Sequence, residues 1–276
     1  MVDSQRFVDL GRPRRIWAVA AVHAAVDRLA RLHDDLGGRF RPGDRLVYLG
    51  NFIGRGPHVQ ETIEELLMFR RALLAVSGMF ETDIVYLRGG QEEMWQKLLQ
   101  LQLAPNPREI MTWMLSQGVG ATLEAYGSNA EQASVVARDT ARNIARFTGG
   151  LREVMRKSPG HEALFSALRR SAFCGSPEAT AERREGGGVL FVSAGFDSER
   201  DFEAQGDAFW WGSAQFARID RHYGGLSRIV RGHDPARGGF VMTKYTLTVD
   251  AGCGFGGPLV CACVSPSGEL LESLEA

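Results

Sequence analysis

Cysteine is scarce in this sequence, and long hydrophobic runs are absent. Only 4 of the 276 residues are cysteines, and none belongs to a CxxC pair, so a disulfide scaffold is not predicted. Cys261 and Cys263 lie on one face of a predicted strand, and we expect buried free thiols there. The longest apolar stretch, residues 16–26, is interrupted by His23 and is far shorter than the roughly 20 residues that cross a bilayer.

Strong charge of either sign and a signal-like N-terminus are also lacking. The formal net charge is -1, which gives no reason to expect binding to nucleic acid or to a membrane surface. The N-terminal residues are polar, and their short basic run at 12–15 is interpreted as part of a solvated arm. We therefore expect a soluble, cytoplasmic protein. With 44% hydrophobic residues, the chain can build the core of one large domain or two small ones.

The first third of the chain alternates between predicted strands and predicted helices. Apolar runs such as IWAVAAV predict buried strands, and apolar residues at helical spacing predict a helix after each of them. This alternation is typical of a parallel α/β unit. Because right-handed crossovers bring the carboxyl ends of such strands to one edge, we expect residues 21–24, 50–56 and 88–92 to converge there. Ligands of open α/β sheets bind at that edge.

The rest of the chain divides into a helical part and a strand-rich part. Residues 105–172 are predicted to form a helical cap, and the polar, glycine-rich residues 178–188 are predicted to form a loop. From Val189 onward, short apolar runs separated by turns predict a second sheet. The predicted fold class is α/β: a two-sheet β-sandwich flanked by helices, with a helical cap segment.

Five short stretches share the order and spacing of the signatures of one protein family. They are AAVHA (20–24), GNFIGRG (50–56), GGQE (89–92), SAG (193–195) and RGH (231–233). Together they resemble the signatures of calcineurin-like metallophosphoesterases, in the branch of serine/threonine protein phosphatases and bacterial diadenosine tetraphosphatases. The resemblance implies a single metallophosphoesterase-like domain over residues 14–276, after an N-terminal arm of residues 1–13.

The resemblance also implies a site for two divalent metals such as Mn, Fe or Zn, which the family holds with two Asp, one Asn and three His. Two of these histidines are retained, as His23 and His233. The other metal-ligand positions carry Ala21, Asn51, Gly90 and Ser193. The family's catalytic histidine and its carboxylate partner are replaced by Gln91 and Gly54. No side-chain carboxylate remains at any of these positions.

The missing carboxylates decide which chemistry the sequence predicts. Two dications held close together repel each other, and a bridging carboxylate offsets this repulsion. Asn51 offers one neutral carbonyl oxygen instead, whereas hard cations depend on charged oxygen ligands. Two-metal hydrolysis requires both ions, and Gln91 cannot donate a proton to a leaving group as histidine can. We therefore predict no metal cofactor and no catalytic residue.

Cationic side chains are what remains of the implied site. Arg55 and Arg88 match family arginines that bind the phosphoryl group, and Arg231 stands beside His233. A further family arginine is replaced by Ser213. Arginines without metal or carboxylate neighbours can form an anion pocket. The predicted pocket comprises Arg55, Arg88, Arg231, His23, His233 and Asn51.

Several functions are compatible with this pocket. The arginines could instead pair with acids such as Glu92 or Asp250, or point to solvent. We predict a catalytically inactive phosphatase-like protein with a binding or regulatory role, whose partner is a phosphate-containing ligand or another protein. The first alternative is an active metal-dependent serine/threonine-type phosphatase or nucleotide phosphohydrolase, with one metal on His23 and His233 and Asp250 as the nearest carboxylate. The second is a structural subunit with a vestigial, unused pocket.

Overall fold

Two mixed β-sheets form the centre of the protein, and helices flank them. The computed structural model describes residues 3–177, 187–212 and 214–276. The strands in these ranges are β1 (Phe7–Asp9), β2 (Ile16–Val19), β3 (Arg45–Tyr48), β4 (Ile84–Tyr86), β5 (Ser171–Cys174), β6 (Val189–Val192), β7 (Arg228–Arg231), β8 (Val241–Met242), β9 (Thr246–Thr248), β10 (Val260–Val264) and β11 (Leu270–Glu275). The helices are α1 (Val26–Gly37), α2 (Val59–Leu74), α3 (Gly90–Leu98), α4 (Pro107–Ser116), α5 (Gly120–Ala125), α6 (Ala130–Val136), α7 (Ala141–Lys157), α8 (His161–Ala167) and α9 (Ala208–Trp211).

Each sheet contains a run of three parallel strands. The five-stranded sheet has the order β11-β10-β2-β3-β4, and the six-stranded sheet has the order β1-β5-β6-β7-β9-β8. Strands β2, β3 and β4 are parallel, as are β6, β7 and β9. Parallel strands place their carboxyl ends at one edge of a sheet, so each of the two sheets carries a set of loops at that edge. The predicted two-sheet α/β fold is confirmed.

Side-chain alternation along the strands explains how the layers pack. In β6, Val189 and Phe191 join the apolar core shared with β2, whereas Leu190 and Val192 join a second cluster on the other side. Successive side chains point to opposite faces of a strand, so both faces of this sheet are covered. Helix α1 buries Leu29, Leu32 and Leu36 against the first sheet's core. The parallel strands are thus buried on both faces.

The structure differs from the predicted sheet assignment for four strands. The prediction that all strands after Val189 form the second sheet is wrong for β10 and β11, because β10 pairs antiparallel with β2 of the first sheet. Strand β10 is buried on both faces, so its pattern does not reveal which sheet it joins. Strands β1 and β5, which pair in parallel, were not predicted, since runs of three or four residues carry too little alternation.

The helical prediction for the middle of the chain is confirmed. Helices α4 to α8 occupy this segment, and α5 packs against α2. Residues 178–186 of the predicted loop, and Ser213, lie outside the described residues. All four cysteines are buried and free, as expected for Cys261 and Cys263. Within the described ranges, every helix is too short or too polar to cross a membrane.

A buried hydrogen-bonded chain connects α1, α2 and β3. His33 contacts the carboxylate of Glu65 through Nδ1 at 2.5 Å and the hydroxyl of Tyr48 through Nε2 at 2.8 Å. Its ring stacks on Phe69 with a centroid distance of 3.9 Å. Burial lowers the pKa of His33 to about 3, and burial raises the pKa of Glu65. Burial therefore disfavours the charged form of both side chains.

This chain predicts a pH dependence of stability. Because the pKa of His33 is lowered to about 3 in the folded state, its contribution is complete above an unfolded pKa of about 6.5 and is lost as the pH falls below it. We expect the free energy of unfolding to fall by about 1.4 kcal/mol per pH unit for this proton. In urea unfolding at decreasing pH, His33→Gln should show a shallower slope than the wild type. Exposed His58 provides the control variant His58→Gln, and equal slopes for all three proteins would contradict the prediction.

Candidate functional site

Backbone hydrogen bonds join four of the five motif stretches at the carboxyl ends of the strands. The amide of His23, after β2, donates to the carbonyl of Asn51, after β3, at 2.8 Å. The amide of Ala21 donates to the carbonyl of Gly232, after β7, at 3.0 Å. Gly232 in turn donates to the carbonyl of Ser193, after β6, at 3.0 Å. The loops of both sheets therefore meet at one place.

The fifth stretch is fixed to the site by the carboxylate of Glu92, in the first turn of α3. Oε2 accepts hydrogen bonds from the amides of Asn51 and Gly89, each at 2.8 Å, and Oε1 accepts from Phe52 at 2.7 Å and Ile53 at 3.3 Å. Burial raises the pKa of Glu92, and these four N–H donors act in the opposite direction. The carboxylate thus holds two loops together, and the predicted convergence of the loops after β2, β3 and β4 is confirmed.

Two amide side chains stand where the resemblance implies the bridging carboxylate and the catalytic histidine. Oδ1 of Asn51 accepts a hydrogen bond from the amide of Gln91 at 2.9 Å. Nε2 of Gln91 donates to the carbonyl of Gln117, in the α4–α5 connection, at 2.8 Å. Gly54 has a φ of +79°, and a Cβ added there would overlap the Gln91 side chain. The absent carboxylate at position 54 is therefore what leaves room for Gln91.

His23 is buried without a hydrogen-bond partner of normal geometry. It is 2% exposed, and both ring nitrogens lack a partner. Burial lowers its pKa to about 3, with contributions from His233 and Arg55. A Cβ added at Gly254, which has a φ of +86°, would lie 2.5 Å from the Cβ of His23, so the loop after β9 folds directly over the imidazole. The side chain is a neutral donor and acceptor at the base of the site.

His233 and Asp250 form a second pair beside His23. The ring centroids of the two histidines are 5.4 Å apart, and Nδ1 of His233 lies 3.3 Å from Oδ2 of Asp250. The same carboxylate accepts hydrogen bonds from the amides of Asp234 at 2.9 Å and Gly252 at 2.8 Å. Burial tends to raise the pKa of Asp250, but the hydrogen bonds from His233 and these amides lower it overall. The carboxylate of Asp250 is thus stabilised by two backbone amides and lies beside His233.

The donor set does not fit a pair of divalent metals. Ala21 and Gly90 offer no side-chain ligand, and the carbonyl oxygen of Asn51 is bonded to a backbone amide. The Ser193 hydroxyl is buried and has no hydrogen-bond partner, but a neutral hydroxyl is a poor ligand for a hard cation. In the part of the chain that the structure describes, no three His, Cys, Asp or Glu residues are grouped to hold a metal ion.

Two of the three predicted arginines have carboxylate partners. Arg88 pairs with Glu93 at 3.0 Å. Arg231 pairs with Asp234 at 2.9 Å and donates to the hydroxyl of Thr248 at 2.9 Å. The alternative of ion pairing therefore applies to both, although the partners are neither Glu92 nor Asp250. Their charges are compensated inside the protein.

Arg55 differs from the other two arginines. It is half-buried, and no carboxylate among the described residues pairs with it. Its guanidinium lies 4.3 Å from the ring centroid of Phe255, and its buried Nε has no hydrogen-bond partner. Burial and the nearby Arg237 lower the pKa of Arg55. Phe255 and Arg237 lie outside the five motifs.

Comparisons with known proteins place this geometry in a known fold. No protein-family model matches the chain, and no curated protein matches it. A solved structure of a presumed diadenosine tetraphosphatase is 16% identical with a TM-score of 0.57, and the match covers 99% of this chain and 98% of that one. A Saccharomyces cerevisiae serine/threonine phosphatase similar to human phosphatase PP5 is 13% identical over 98% of this chain and 84% of that one, with a TM-score of 0.46. A metallophosphoesterase from Sphaerobacter thermophilus is 13% identical over 95% and 88%, with a TM-score of 0.40. The first of these likenesses carries the conclusion: the chain has the fold of the calcineurin-like metallophosphoesterases.

Proposed function

We propose that this protein is a catalytically inactive member of the phosphatase fold that binds a phosphate-containing ligand without a metal pair. One observation carries the proposal: the half-buried guanidinium of Arg55 has no carboxylate partner among the described residues and contacts the ring of Phe255, which lies 6.0 Å from the ring of the buried His23. A cation and a neutral donor that face the same loop cluster match the oxygens of a phosphate group.

The energetics of unpaired groups support this ligand. A buried polar group without a hydrogen bond costs about 1–3 kcal/mol, and His23 has two such nitrogens while Arg55 has one. A phosphate oxygen at Arg55 would accept from its guanidinium. Because the pKa of His23 is lowered to about 3, this buried histidine stays neutral near pH 7 and adds no second positive charge to the site.

The site lacks the proton donor and the free carboxylate ligand that hydrolysis would require. Gln91 carries no transferable proton, and its amide is bonded to the α4–α5 connection. Asp250, the carboxylate considered for a single-metal enzyme, is bonded to His233 and two amides. Because Gln91 and Asp250 already bond to other groups of the protein, the binding function is favoured over an active phosphatase with an altered metal site. The proposal places the protein in the cytoplasm, where its four free cysteines would stay reduced.

Titration calorimetry with inorganic phosphate in a chelating buffer tests this function. We expect the full chain to bind phosphate, and Arg55→Ala to bind it roughly 10- to 100-fold more weakly, since one charge-assisted donor is lost. Exposed Arg138, after α6, provides the control variant Arg138→Ala, which should bind as the wild type does. No phosphate binding by the wild type, or full affinity in Arg55→Ala, would refute the proposal.

A further inference from the structure

Strained backbone marks the residues that belong to this site. Non-glycine residues rarely adopt a positive φ, and such residues cluster at functional sites. In the described ranges five of them do so: His23 (51°), Ala24 (59°), Asn51 (56°), Arg55 (61°) and Arg237 (56°). The first four lie in the loops after β2 and β3 that build the anion site. The fifth, Arg237, is outside every motif, yet it shares this backbone feature.

Asp234 fixes the turn that carries Arg237. Its carboxylate accepts hydrogen bonds from the amides of Ala236 at 3.0 Å and Gly238 at 2.8 Å, and it pairs with Arg231 at 2.9 Å. The amide of Arg237 donates to the carbonyl of Asp234 at 2.9 Å. This turn directly follows His233. The hydrogen bonds and the ion pair of the Asp234 carboxylate therefore fix the position of Arg237 relative to the site.

The side chains of Arg237 and Arg55 both contact the ring of Phe255. The Arg237 guanidinium lies 3.9 Å from the ring centroid of Phe255, and that of Arg55 lies 4.3 Å from the same centroid. Within the described part of the chain neither arginine has a carboxylate partner. Cation–π contacts with Phe255 offset only part of the repulsion between two like charges. Two positive charges without a carboxylate partner among the described residues therefore contact the same ring, whose centroid lies 6.0 Å from that of the buried His23.

We propose that Arg237 is a ligand-binding residue and that Arg55 and Arg237 together form a two-guanidinium clamp for a phosphate dianion. The inference rests on the proposed function and names its ligand class. Two guanidinium groups supply the two positive charges that match a dianion, in a fold whose relatives would use metal ions. Since both cations lie over Phe255, its ring is a platform for them and not for a nucleobase. The clamp therefore selects the charge of a phosphate monoester or of inorganic phosphate.

Phosphate calorimetry in a chelating buffer, with the full chain and its Arg237 variants, tests the clamp. Arg237→Ala is expected to weaken the binding of inorganic phosphate roughly 10- to 100-fold. Arg237→Gly should weaken it equally, because glycine removes the same side chain while accepting the positive φ. Arg138→Ala should bind as the wild type does. Methyl phosphate should bind to the wild type like inorganic phosphate, and the monoanion dimethyl phosphate should bind to it more weakly. The Arg237 variants should bind methyl phosphate and dimethyl phosphate with similar affinity.

The outcomes separate the two proposals. If the wild type binds phosphate and Arg55→Ala weakens it while both Arg237 variants keep full affinity, the clamp is refuted and the proposed function stands. If the wild type does not bind phosphate, both proposals fall. Equal affinity of the wild type for methyl phosphate and dimethyl phosphate would refute the selection of a dianion.

Discussion

Replacing Glu92 by alanine is expected to lower the free energy of unfolding by about 3–5 kcal/mol. The substitution leaves the amides of Asn51, Phe52, Ile53 and Gly89 without their acceptor. Each buried donor without a partner costs about 1–3 kcal/mol, and relaxation of the two loops recovers part of the sum. The loops that carry Asn51 and Arg55 would separate from α3, so phosphate affinity should fall together with stability.

Two further variants make this expectation specific. Glu92→Gln keeps one acceptor oxygen but directs an NH2 group at two of the four amides, so it should be nearly as destabilising as alanine. Glu64, on the exposed side of α2, provides the control Glu64→Gln, which should change stability by less than about 0.5 kcal/mol. Urea unfolding followed by tryptophan fluorescence measures all three. A Glu92→Ala protein as stable as the wild type would show that the carboxylate does not hold the loops together.

The fold and the meeting point of the loops were predictable because they depend on backbone patterns. Apolar runs mark β2, β3 and β4, and parallel strands can only present their carboxyl ends at one edge. The five motif stretches preserve this geometry even where their chemical groups have changed. The sheet that β10 joins could not be read from its sequence, because a strand buried on both faces carries no sign of its neighbours.

The partners of the arginines were harder to predict than their positions. Arg231 pairs with Asp234, three residues away, and Arg88 pairs with Glu93, five residues away. The short distance in sequence between each arginine and its acid was the only signal from which these ion pairs could have been predicted. Glu92 was considered as a partner instead, but its carboxylate is directed at backbone amides. Which of two adjacent acids faces an arginine depends on where α3 begins, and helix boundaries are poorly fixed by sequence alone.

The contact between Arg237 and Phe255 could not have been found from sequence patterns. They belong to the loops after β7 and β9, which are parallel neighbours only in the folded sheet. Their contact also depends on a left-handed backbone at Arg237, which sequence does not indicate for an arginine. Arg237 is itself an exposed arginine in a turn, and only its contact with the ring of Phe255, which Arg55 shares, distinguishes it from other such arginines.

Adding Mn2+ is expected to give this protein no phosphatase activity. Two dications about 4 Å apart repel by roughly 16 kcal/mol at an effective dielectric constant of about 20. The positions that would offset this repulsion carry Ala21, Asn51 and Gly90, and Asp250 is bonded to His233 and to backbone amides. Hydrolysis of p-nitrophenyl phosphate should therefore proceed at the rate of protein-free buffer containing the same metal.

In the proposed function, side-chain cations and not a metal pair hold the phosphate group. The dissociation constant of inorganic phosphate, measured by calorimetry in a chelating buffer and again with excess Mn2+, tests it most directly. We predict the same dissociation constant under both conditions. Phosphate binding that occurs only with Mn2+, at two bound manganese ions per chain, would contradict the account.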